Sequence, residues 1–143
     1  MRKELYKALC ERLKTVDNVK HIDLWNNNVE FIEQESAWQR PAVFIEFKPV
    51  LWSMVKEKAW KAKIQVSLHI VSDWNGSASA DSEQQDEILS IYDLSDKIAC
   101  AVEGMKGTTF GRLTLAETHT SHNHEDIVEN IDVYSCNVIR QLK

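Results

Sequence analysis

The chain has 143 residues and a mass of 16.5 kDa, with 17 basic and 22 acidic side chains that leave a formal charge of −5. That is the size of one ordinary domain, long enough to bury roughly 70% of its unfolded surface, so a single core needs neither disulfide nor metal to hold it. The acidic balance argues against a module that grips phosphates, since nonspecific nucleic-acid binding is largely counterion release by clustered Lys and Arg. No run approaches the roughly 20 apolar residues that span a bilayer, and no apolar h-region follows the basic start, so neither a membrane span nor a secretory signal is expected.

The first element is expected from Lys3 to Val16, where Leu5, Leu9 and Leu13 recur every fourth residue with Tyr6, Cys10 and Val16 beside them, forming one face of an amphipathic helix. Val19 to Trp25 and Val29 to Glu33 read as short strands around the turn Asn26-Asn27-Asn28. Pro41 to Pro49 reads as a strand closed by prolines, which cannot donate to a ladder and therefore favour its ends. Val50-Leu-Trp-Ser-Met-Val is a loop or hairpin arm, either a subunit interface or a segment folded back on the core. From Trp60 to Ile70 the period is two: Trp60, Ala62, Ile64, Val66, Leu68 and Ile70 point one way, and Lys61, Lys63, Gln65, Ser67 and His69 the other. This predicts a long strand with one dry face.

A small, polar tract then leads to Ser82 and Gln85, spaced as a capping box. The helix that follows carries Ile88, Leu89, Ile91, Tyr92, Ile98, Ala99 and Val102 as its apolar stripe. Asp81, Glu83, Asp86 and Glu87 crowd its positive end, and Gly104 stands where a left-handed residue would terminate it. Gly107 to Thr118 and Ile127 to Ile139 read as two strands around a polar connection, paired as an antiparallel hairpin because a parallel pair would need a longer crossover. The sum is one α+β domain over residues 1–143: a sheet of about six strands, antiparallel or mixed, covered on one face by two helices.

Chemistry-bearing residues are sparse. His119, His122 and His124, with Glu125 and Asp126, are the one concentrated set of ligand-type side chains, and imidazole with carboxylate suits a divalent metal. Their spacing matches no known ligand signature, so the tract reads first as a solvated loop, with a metal-binding module or metal-dependent hydrolase as the alternative. His21 and His69 sit alone in strand patterns with no nucleophile motif beside them. Paired carboxylates such as Glu30 and Glu33, or Asp93 and Asp96, read as solvated charge. Cys10, Cys100 and Cys136 are odd in number and widely spaced, which fits reduced thiols buried in apolar patterns. No enzyme activity and no cofactor is expected. Five tryptophans, at 25, 38, 52, 60 and 74, fall mostly at strand ends, and some are expected to be partly exposed as partner contacts. Lys56, Lys58, Lys61 and Lys63 form a basic stripe that either meets an acidic neighbour or keeps an edge strand soluble.

Several phrases resemble one family. They are the opening helix Glu4-Leu-Tyr-Lys-Ala-Leu, the strand Val29-Glu-Phe, the proline-led strand Arg40-Pro-Ala-Val-Phe-Ile, the long strand Ile64-Gln-Val-Ser-Leu-His-Ile-Val-Ser-Asp-Trp, a following helix rich in Asp and Ile, and the terminal strand Val133-Tyr-Ser-Cys-Asn-Val. Together they resemble the tail terminator, or tail completion, proteins of long-tailed phages and prophages, over nearly the whole chain. The resemblance implies a structural ring, commonly sixfold, that ends the tail tube. Its implied partners are further copies of itself, the tail tube protein and a head-side connector protein, with no specific nucleic acid and no membrane. Another head–tail connector component would share the layout. Assembly in the bacterial cytoplasm and residence in the virion tail follow from the same resemblance. On this reading Trp52, Met54, Trp60, Lys61 and Lys63 are the interface residues.

Overall fold

The structure, a computed structural model, describes residues 1–26, 38–74, 76–124 and 127–142, without the side chains of 122–124. The expected strand over 29–33 and its asparagine turn lie outside the described residues, apart from Asn26. The described elements run α1 (Arg2–Leu13), β1 (His21–Leu24), β2 (Ala42–Phe47), β3 (Ser53–Lys56), β4 (Ala59–Asp73), α2 (Gln85–Val102), β5 (Thr114–His124) and β6 (Ile127–Gln141).

One six-stranded sheet holds the order β1-β2-β4-β6-β5, with β3 lying beside the start of β4. β1 pairs parallel to β2 and every other pair is antiparallel, so the α+β sheet is mixed. β4 and β6 are its spine, in register from Ala59 opposite Gln141 to Asp73 opposite Ile127. Both helices lie on one face: Leu5, Leu9 and Leu13 of α1 and Leu94, Ile98 and Val102 of α2 share a core with Val43, Ile45, Ile64, Val66, Leu68, Ile70 and Tyr134.

The helix ends follow local chemistry. At the start of α1, the Glu4 carboxylate accepts hydrogen bonds from the hydroxyl of Thr108, from Thr109 N–H at 3.0 Å and from the Thr109 hydroxyl at 2.8 Å. These bonds, led by the one from Thr108, hold its carboxyl at about 2, against an ordinary 4.5. Gly104 adopts φ +79° after α2 and donates its N–H to Leu113 at 2.7 Å, as its left-handed role requires. The capping box does not form. α2 begins at Gln85, the Ser82 hydroxyl accepts from Gln84 N–H at 3.1 Å, and the Gln85 side chain donates back to Ser79 at 3.3 Å. The serine closes its own tight turn, a local competitor of helical capping.

Three further expectations are corrected. β4 is dry on one face only over its first part. From Val66 to Ser72 both faces are buried, because Ala42, Phe44, Val71 and Ile127, flanked by Trp25 and Trp38, build a second cluster on the side away from the helices. β5 runs from Thr114 to His124, straight through the polar tract expected to be the connection, while Phe110 makes only an isolated bridge to Val138. Of the cysteines only Cys136 is buried, and burial pushes its thiol up to about 11; Cys10 is half-buried and Cys100 is exposed on α2.

Candidate assembly interface

β3 and the start of β4 form a hairpin at one end of the sheet, its β4 arm paired with β6 on the other side. Its two-residue turn is Glu57-Lys58, with Lys58 at φ 64° and its carbonyl accepting from Leu142 N–H at 2.8 Å, which fastens the turn to the end of β6. All four residues of β3 are exposed. Ser53 lies opposite Lys61 and Met54 opposite Trp60, while on the other side of β4 Lys61 faces Ile139 and Lys63 faces Asn137.

The five residues singled out by sequence therefore do meet on one hairpin, in different roles. Met54 is 70% exposed, and Lys61 and Lys63 are exposed. Trp52 and Trp60 are half-buried, and Trp52 packs against the main core, anchoring the arm. Leu51, at 86% exposure, Val55, Ile139 and Leu142 are exposed as well; Ile139, opposite Lys61, lies on the sheet face away from the helices, whereas Met54, opposite Trp60, is in phase with the core face. Ile139 and Leu142 had no visible partner in sequence because they reach the hairpin only through the β4–β6 register. A groove of about 520 Å³ opens here on the sheet face away from the helices, lined by Leu51, Ser53, Lys61, Ala62, Lys63 and Ile139 among others. Several apolar residues open to water at one place are what a partner surface requires.

α2 presents a second such surface. The sequence pattern places Leu89 and Tyr92 in the apolar stripe, but the buried residues are Ile88, Ile91, Leu94, Ile98 and Val102. At 100° per residue Leu89 falls opposite the buried stripe with Asp86, Asp93 and Asp96, and Tyr92 lies on its flank one turn from Asp96; all five are exposed. The solvated reading of Asp93 and Asp96 holds.

The histidine tract offers less. His119 lies on β5 in register with Ile131, about half-exposed, with Glu117 at 3.9 Å. The side chains of His122 and His124 lie outside the described residues, and among the described residues no group of three or more His, Cys, Asp or Glu is placed to hold a metal. The histidine with the richest surroundings is instead His69. It is 5% exposed, with Nδ1 2.5 Å from Glu129 Oε2, Nε2 2.7 Å from Glu46 Oε1, and the Trp25 indole stacked on its ring at 3.8 Å. Both nitrogens face carboxylates, so both bonds form when each nitrogen carries a hydrogen. The triad ties β2, β4 and β6 together across diagonal positions, which is a packing role. Among the described residues no helix is long and apolar enough to cross a membrane.

No protein-family model and no curated protein sequence matches the chain. Among solved structures, a chain from the virion of a native gene transfer agent particle has the same fold, with a TM-score of 0.58, 10% sequence identity and 94% of each chain covered. At that identity the likeness establishes the fold alone.

Proposed function

We propose that this chain is a structural component of a phage-like particle: a tail-terminator-type protein that closes into a ring at the end of the tail tube and meets the head-side connector. The observation that carries this reading is the fold it shares, end to end over 94% of both chains, with a chain of a gene transfer agent virion. The surfaces support it: a ring of identical subunits needs two different sticky patches, and the hairpin and the outer face of α2 supply them. The charge of −5 also suits a passage through which DNA slides without adhering. On this account the chain works by assembly and not by catalysis, is put together in the bacterial cytoplasm and travels in the virion tail.

Negative-stain electron microscopy of the purified full chain, alone and mixed with the tube protein of its own particle, tests the proposal. Closed rings of uniform subunit number, seated on tube ends, are expected. Isolated single-domain particles in both preparations would overturn it.

A further inference from the structure

The two exposed surfaces are complementary in charge as well as in apolar character. The hairpin from Ser53 to Lys63 carries four lysines against one glutamate, in a chain that is acidic overall. The outer face of α2 carries Asp86, Asp93 and Asp96 around Leu89 and Tyr92. They cannot meet within one molecule. The first half of α2 lies beside Ser72 and Asp73, at the end of β4, whereas the hairpin sits at its beginning. Fifteen strand residues at about 3.3 Å each separate those ends by roughly 45 Å. The groove also opens on the sheet face away from the helices, because Lys61, Lys63 and Ile139 are out of phase with the core residues Ile64 and Cys136.

Resting on the ring reading above, we infer that the outer face of α2 on one copy docks into the hairpin groove of the next. Leu89 and Tyr92 pack against Leu51 and Ile139 while Asp93 and Asp96 face Lys61 and Lys63. The occupant is a second copy of this chain. A helix laid in an apolar groove is an established recognition mode, and the oppositely charged rims fix its direction. Because the two surfaces differ, the contact is head-to-tail, and it builds a ring when its rotation closes.

Two charge-reversed full-length proteins test the contact: Lys61→Glu with Lys63→Glu, and Asp93→Lys with Asp96→Lys. All four side chains are exposed, and circular dichroism confirms that each variant is folded. In sedimentation velocity the wild type is expected to form a discrete assembly. Each variant alone is expected to run at its monomer mass of about 16.5 kDa, and an equimolar mixture to regain the wild-type assembly, since each reversed surface then finds a complementary one. Variants that assemble as the wild type does, or a mixture that stays monomeric, would overturn this contact and leave the ring reading standing. A wild type that stays monomeric at every concentration would overturn this contact, and the ring reading falls with it only if the chain also forms no ring when mixed with the tube protein.

Discussion

The two ends of β4 belong to the same strand and the same ladder with β6, yet they live in different surroundings. From Val66 to Ser72 the strand is closed on both faces, by α1 and α2 on one side and by Phe44, Trp25 and Trp38 on the other. From Ala59 to Gln65 only Ile64 is buried; Lys61, Lys63 and Gln65 point into solvent beside an apolar groove. The ladder with β6 runs unbroken from one end to the other, so it does not explain the difference. What differs is the second layer, which the molecule provides for itself at one end and leaves open at the other. An uncovered sheet face next to exposed leucine and isoleucine is the end at which the proposed neighbouring copy would supply the second layer.

Substitutions at the two ends should therefore behave differently. The largest effect is expected at His69: His69→Ala removes the ring that bridges Glu46 and Glu129, and losing buried hydrogen bonds of this kind costs about 2 kcal/mol. Urea unfolding monitored by tryptophan fluorescence measures it, and a loss below about 1 kcal/mol would mean that the triad is not what holds the closed end. A smaller gain is expected at Asp132, a 3% exposed carboxylate that accepts from the Thr118 hydroxyl at 2.6 Å and whose pKa is raised, chiefly by burial. The raised value means the fold disfavours the charged form, so Asp132 costs stability above its unfolded pKa and that cost is relieved as pH falls. Asp132→Asn keeps an acceptor and removes the charge; at pH 7 it should stabilise the protein by about 1 kcal/mol, a gain that vanishes in acid. Thermal melts of both proteins from pH 7 to pH 3 follow the two curves as they converge. At the open end Lys63→Ala should change stability by less than about 0.5 kcal/mol, since nothing in the monomer depends on it. A larger loss there would assign the lysine to the fold and remove it from the proposed contact.

Much of this architecture was legible in the sequence where period and punctuation agree. The fourfold leucine spacing of α1, the prolines around β2, Gly104 and the alternation from Trp60 to Ile70 each have one cheap structural solution. The second closed face was not legible, because His69 looks like a solvent residue until Trp25, distant in sequence, stacks on it. Threonine and histidine between Thr118 and His124 suggested a loop, although alternating polar residues are equally compatible with an edge strand exposed to water. The hairpin was found from its tryptophans and lysines, but the acidic face of α2 was hidden by counting Leu89 and Tyr92 as core. A stricter reading of helical angle places Leu89 with Asp93 and Asp96, and Tyr92 on the flank one turn from Asp96.

Sedimentation velocity on the full-length wild type, over a concentration series at low and at high salt, bears most directly on the claim that this molecule acts through complementary outer surfaces. At low salt a discrete species several times heavier than 16.5 kDa should appear as concentration rises, and it should dissociate as salt screens the lysine and aspartate surfaces. A single 16.5 kDa boundary under every condition would contradict the account.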